Sequence, residues 1–212
     1  MNEVKQLYEE KKKEIEYHIV DNFLNVFDLP DEQVLKNMLF CVCTPQTDAH
    51  KGWLAATLLT NHKVYLDPNE EIIGDLMKSA GVRFHKTKAR SAAKMMSDFW
   101  PHTSGKIRSL INESDLIQTR NFLAKKIKGW GLKEASHFLR NVGYGEHIAI
   151  LDRHILRRLV DQSVILEIPK MLDTQTYLEI EQKMIQFGRD IDVPMEALDL
   201  LFWYQSKGEF FK

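Results

Sequence analysis

The sequence predicts an all-α protein, and three observations carry that prediction. Apolar residues recur at i, i+3, i+4 and i+7 along nearly every segment, the spacing that lines one face of a helix. The segments end at helix-stopping residues such as Gly81, Pro101 and Gly143. The one run that could pass for a strand, 148–151, has no second strand to pair with, so it reads as buried extended chain. No internal repeat, low-complexity tract or flexible linker interrupts the pattern.

In chain order, 3–26 reads as a helix of mixed charge with Leu7, Ile15, Ile19, Phe23 and Val26 on its buried side. A turn over 28–31 starts the next helix, striped by Val34, Leu35, Met38, Leu39 and Val42. Thr44 and Pro45 read as an N-cap and first helical position, opening a helix to about residue 60. A loop over 61–69 precedes a short helix over 70–79 and a basic one over 84–100. A helix near Lys106 and helices over 113–127 and 132–142 follow. Asp152 then caps a helix bearing Ile155, Leu156, Leu159 and Val160. Past Ile168-Pro169-Lys170, one helix runs from Thr174 or Thr176 through Gln186, and the last covers 196–204.

A chain of 212 residues, 44% of them hydrophobic, can build one large or two small cores. Residues 2–16 are dense in Lys and Glu, and no later run approaches the roughly 18 apolar residues of a membrane span, so neither export nor a membrane is expected. Cys41 and Cys43 sit in an apolar run, which points to a reducing cytoplasm and no disulfide; two cysteines are also too few for a four-cysteine iron–sulfur cluster. Eight histidines show no metal-ligand spacing, so no catalytic metal is expected.

A net charge of −1 argues against a nonspecific nucleic-acid binder, but the charge is unevenly placed. Arg120, Lys125, Lys126, Lys128, Lys133 and Arg140 face one acid between them, Glu134; Arg83, Lys86, Lys88, Arg90 and Lys94 face none; Arg153, Arg157 and Arg158 form a third cluster. Any one cluster reads as a solvated helix face, whereas three around one short turn suggest a surface that follows phosphates. That turn is Gly129-Trp130-Gly131, which joins two helices. Its glycines permit positive φ and close approach of a phosphate, and the N–H groups opening the second helix carry partial positive charge. Lys133, Ser136, His137 and Arg140 share the face opposite the apolar stripe of that helix. Lys133 is then either a phosphate contact or a nucleophile.

The hairpin over 120–142, the lysine just after it and the run Ala149-Ile150-Leu151-Asp152-Arg153-His154 resemble the helix-hairpin-helix DNA glycosylase superfamily. Residues 131–141, the Leu-Asp-Arg-His run and Lys212 resemble most its type-2 8-oxoguanine DNA glycosylase/AP lyase family. The resemblance implies a two-domain fold, 31–149 forming a helical barrel and 1–30 with 150–212 the second domain, with the active site in the cleft between them. It implies Lys133 as the Schiff-base nucleophile, which must be neutral to attack, and Asp152 as proton-transfer and electrostatic partner. Asp152 otherwise reads as a plain N-cap, and capping leaves one carboxylate oxygen free.

By the same resemblance Phe84 and Trp203 sandwich the extruded base, Lys212 reads it through its carboxylate, and Gln46 enters the vacated space. Taken alone, the two aromatics read as core residues and Gln46 as a surface residue of a first helical turn. Gln46, Lys128, Gly129, Gly131, Arg140, Arg153 and His154 are the expected DNA contacts. No cofactor is required, although a monovalent cation at the hairpin is implied. The expected partner is double-stranded DNA containing oxidised guanine, bound by a cytoplasmic, nucleoid-associated monomer. Three rivals stand beside this reading: the same fold acting on another lesion, a noncatalytic hairpin module that binds duplex DNA or a repair partner, and a helical scaffold with no nucleic-acid role.

Overall fold

Asn2, Asp48, Asn69, Asp115, Asp152 and Asp173 each accept backbone N–H bonds at the start of a helix. These caps satisfy donors that the helix itself leaves unpaired. The structure, a computed structural model, describes residues 2–24, 30–101 and 106–211. The described residues form ten α-helices and a 3-10 turn, Ile107–Leu110, and contain no strand. The helices are α1 Glu3–Asn22, α2 Asp31–Cys43, α3 Ala49–Asn61, α4 Glu70–Ser79, α5 His85–Phe99, α6 Leu116–Lys126, α7 Leu132–Asn141, α8 Arg153–Asp161, α9 Thr174–Asp190 and α10 Met195–Lys207. None is long and apolar enough to cross a membrane.

The chain divides into two compact units, Met1–Asn25 with Leu139–Lys212, and Val26–Phe138. In the first, α1, α8 and α9 each pack on α10, around Ile15, Phe23, Leu159, Met184, Leu198 and Leu201. In the second, α2 packs on α3 and α5, and α4 on α3 and α5, around Leu35, Met38, Leu39, Leu59, Ile73, Met77 and Met96. Helix α2 is buried nearly all round, including Cys41 and Cys43, neither of which is in a disulfide. The sequence placed the return to the first unit at residue 150, but the division falls at 139. The last turn of α7 belongs there because Arg140 pairs with Asp199 of α10 at 3.3 Å and lies 4.4 Å over the Phe23 ring.

Two other expectations are corrected. Leu7 is only half-buried, and Val4 and Tyr8 take the inner face of α1 instead; Val26 lies outside the described residues. Thr44 and Pro45 do not open a helix. Thr44 is the C-cap of α2, Thr47 N–H closes a turn onto Thr44 O at 2.9 Å, and α3 starts at Ala49 behind its N-cap Asp48. Pro45 is thus the second residue of a β-turn whose third, Gln46, has φ of +55°, the pattern of a type II turn.

The 148–151 run is buried extended chain as expected, and its backbone is satisfied by side chains of α9. Ala149 N–H donates to Glu181 Oε1 at 2.9 Å, Leu151 N–H donates to the Tyr177 hydroxyl at 3.3 Å, and that hydroxyl donates to Ala149 O at 2.7 Å. A buried backbone without such partners would cost about 1–3 kcal/mol per group.

Candidate functional site

Helix α6 ends at Ile127, whose N–H donates to Leu123 O, and Trp130 N–H donates to Ile127 O at 3.1 Å across the turn. Ile127 and Trp130 are buried, with Trp130 against Phe138 at 5.9 Å, so the turn is anchored from within while Lys128 and Gly129 face outward. Gly129 has φ of +89°, and a Cβ there would meet nothing closer than Ser91 Oγ at 3.9 Å. The conformation, rather than crowding, requires glycine at this position. Gly131 does not share that conformation. Its N–H donates to Glu134 Oε2 at 3.1 Å, one half of a capping box. The anion site at the start of α7 therefore has one donor fewer than expected.

Lys133 sits in the first turn of α7 with its side chain 23% exposed and its Nζ 3.8 Å from Glu134 Oε1. Asp152 caps α8 through one oxygen only: Oδ1 accepts from His154 N–H at 2.7 Å and from Ile155 N–H at 2.9 Å. Oδ2 is left for other chemistry. The Tyr177 and Glu181 bonds to residues 149–151 fix the chain that delivers Asp152 to its cap. Sequence reasoning missed both residues, although a tyrosine and a glutamate at i, i+4 on the apolar stripe of α9 were the available signal.

Phe84 is no core aromatic. It is 56% exposed and sits at φ of +56° ahead of α5, with the Arg83 guanidinium 5.4 Å from its ring. Trp203 is half-buried in α10, with His154 edge-on at 5.8 Å and Lys207 Nζ 5.7 Å from its ring. Gln46 is exposed at the tip of its turn. Lys212 lies outside the described residues. Phe210, two positions before it, stacks on Tyr204 at 4.9 Å and lies 6.0 Å from His18.

Several cations expected at a DNA surface are buried. Arg140 is 4% exposed and engaged with Asp199 and Phe23, which removes it from the expected DNA contacts. The polar face assigned to α7 is inward for the same reason, since Ser136 and His137 are buried too. Arg120 is fully buried with Nη1 3.4 Å from Ser136 Oγ. Arg158 pairs with Asp161 and donates to Gln205 O. Lys88, in α5, is buried and donates to Cys43 O, Pro45 O and Thr47 Oγ1. Burial pushes its pKa down to about 8 and pushes that of the Cys43 thiol up to about 12. Lys125, Lys126 and Lys128 at the hairpin, Arg83 and Lys86 before and within α5, and Arg153 and Arg157 on α8 remain exposed.

An all-α chain with a glycine-turned hairpin rimmed by exposed lysines, and a half-buried lysine just past it, has the makings of a helix-hairpin-helix protein that handles nucleic acid. Residues 16–193 match the family described as 8-oxoguanine DNA glycosylase. The 8-oxoguanine DNA glycosylase/AP lyase of Fusobacterium nucleatum is 37% identical, covering 100% of this chain and 97% of that protein. The enzyme of the same name from Methanocaldococcus jannaschii is 35% identical, covering 99% of each. Its crystal structure in complex with a 15mer DNA containing 8-oxoguanine aligns with a TM-score of 0.84 over 99% of both chains at 33% identity. The Thermotoga maritima 8-oxoguanine DNA glycosylase aligns with a TM-score of 0.85 over 99% of this chain and 97% of that one, at 29% identity. The chain belongs to the 8-oxoguanine DNA glycosylase family.

Proposed function

We infer that the protein excises 8-oxoguanine from duplex DNA as a glycosylase and then cleaves the strand at the abasic site as a lyase. The observation that carries this reading is the match along the whole chain to enzymes of that name.

Lys133 is the nucleophile in this scheme. Once deprotonated, its amine bonds to the sugar C1′ as the bond from C1′ to the base breaks; the electron pair leaves with the base, which takes up a proton. The sugar ring opens to an iminium linked to Lys133, loss of a C2′ proton expels the 3′ phosphate by β-elimination, and water then frees the lysine. Asp152 carries protons and stabilises positive charge at C1′ through Oδ2. The support for this pairing is that each residue is held with its functional atom uncommitted to the fold's core: Lys133 is part-exposed, and Asp152 caps through Oδ1 alone. None of these steps uses a metal.

Lys128 with the backbone of Gly129 and Gly131 takes phosphate at the hairpin, and Arg153 and His154 do so at the start of α8. Among the described residues no backbone N–H donates to the carbonyls of Lys128 and Gly129. Both could hold a monovalent cation, which would neutralise phosphate charge there. Phe84 and Trp203 supply aromatic faces for the extruded base, and Gln46 takes its place in the helix. The enzyme acts as a monomer in the cytoplasm, on the nucleoid.

Borohydride trapping on a duplex carrying 8-oxoguanine opposite cytosine tests the scheme. Wild type is expected to give a covalent adduct that Lys133→Gln does not. An adduct retained in the variant moves the nucleophile elsewhere. Free base without an adduct makes the enzyme monofunctional, and neither product favours another lesion or a binding module.

A further inference from the structure

Five described residues other than glycine have positive φ: Gln46, Lys63, Phe84, Ser163 and Asp192. Three of these are ordinary helix endings. Lys63, Ser163 and Asp192 each follow the C-cap of a helix, and the residue after each donates back to the last turn: Val64 N–H to Leu59 O, Val164 N–H to Leu159 O, Val193 N–H to Gly188 O. Gln46 and Phe84 have no such role. Each stands in a loop leading into a helix, each is exposed, and each holds a conformation that costs an L side chain of its kind on the order of 1 kcal/mol or more. Strain of that sort persists only where neighbouring structure enforces it.

One group enforces both. The Lys88 ammonium donates at 2.7 Å to Cys43 O, at 2.7 Å to Pro45 O and at 2.9 Å to Thr47 Oγ1. It therefore binds the turn on both sides of Gln46. Thr47 Oγ1 also accepts from Arg83 N–H at 3.1 Å, which ties the residue before Phe84 to the same hub. Lys88 itself lies one turn into the helix that Phe84 precedes, and its own N–H donates to Phe84 O at 3.0 Å.

We propose that Lys88, acting through Thr47, is a positioning residue for base extrusion, holding the Gln46 and Phe84 loops as one rigid unit in the conformations that gap filling and base stacking need. This rests on the roles given above to Gln46 and Phe84. An amine with three short donor bonds, buried in the same element pair, is a means of fixing two loops that sequence spacing would leave independent. The hub also withstands loss of a proton. A neutral amine still donates to the two carbonyls and can accept from the Thr47 hydroxyl, whose oxygen keeps its bond from Arg83 N–H.

The test separates excision from abasic-site chemistry. Lys88→Met, Thr47→Val and Gln46→Ala are compared with wild type in single-turnover release of 8-oxoguanine, and in borohydride trapping on a duplex that already carries an abasic site and so has no base to extrude. Lys88→Met is expected to slow base release by about ten-fold or more while trapping falls less than about three-fold, since small misplacements of positioning groups have effects of this size. Thr47→Val should follow in the same direction. Lys88→Met combined with Gln46→Ala should be no slower than the slower single variant, as expected of residues acting through one element. Equal losses in both assays, unchanged base release, or multiplicative effects in the double variant would overturn the inference. Should Lys88→Met fail to fold cooperatively, the Thr47→Val split decides alone. Failure of wild type to release 8-oxoguanine would instead overturn the functional reading beneath it, an outcome distinct from any difference among variants.

Discussion

Lys88 and Cys43 show how far a residue's identity is from its environment. In the sequence Lys88 is one of five cations in a basic run, and nothing in the spacing separates it from Lys86 or Arg90; in the fold it is a buried donor. Burial lowers Lys88 from 10.5 to about 8, so above pH 8 the folded chain gives up a proton that the unfolded chain keeps until its ordinary value, and stability rises with pH. Cys43 acts in the opposite sense: raised from 9.0 to about 12, it keeps its proton in the fold while the unfolded chain loses it, and stability falls above pH 9. The two slopes oppose each other, so the rise belongs to the interval between the lowered Lys88 value and the ordinary thiol value. Urea unfolding across that range measures it. Lys88→Met should lose the rise and keep the decline above pH 9; a wild-type curve that does not climb from 8 to 9 would contradict the assignment.

At the scale of elements, the helices were legible because amphipathic periodicity is local, and the turns were less so. Proline at position 45 fits both a first helical residue and the second residue of a β-turn. The choice is made by Lys88, 43 positions away, which claims the turn carbonyls. The 148–151 run was legible as unpaired extended chain, but its fastening to Tyr177 and Glu181 was not, since a polar pair on the apolar stripe of α9 does not reveal which distant backbone it bonds. That fastening predicts a specific fault. Tyr177→Phe removes the donor to Ala149 O and the acceptor for Leu151 N–H, leaving buried backbone groups unpaired at a cost of about 1–3 kcal/mol. Because Asp152 follows directly, base excision should slow more than duplex binding weakens. Denaturation midpoints and single-turnover rates check the two parts, and a variant with an unchanged midpoint would show that the hydroxyl does not secure this segment.

For the whole molecule the question is how a chain of net charge −1 follows a polyanion, and the answer predicts its salt response. Counting the three basic clusters from sequence gives fourteen cations, but Arg120, Arg140 and Lys88 are buried, and Arg158, Arg90 and Lys94 are paired with Asp161, Glu70 and Asp98. Lys125, Lys126, Lys128, Arg83, Lys86, Arg153 and Arg157 remain exposed, and Lys133, the proposed nucleophile, is half-buried. Each phosphate neutralised contributes about −0.9 to the slope of log K against log salt. The slope for duplex binding should therefore be no steeper than about −6, whereas the full sequence count would allow roughly twice that. Lys128→Ala should make the slope shallower by about one and weaken binding on every sequence alike. Arg140→Met should leave the slope unchanged, although removing one partner of the buried Arg140–Asp199 pair lowers stability by about 3–5 kcal/mol. A slope that shifts in Arg140→Met would place that guanidinium on DNA after all. A slope that ignores Lys128 would move the phosphate contact off the hairpin, because the exposed lysines there are what ties the charge distribution to the Gly129 turn.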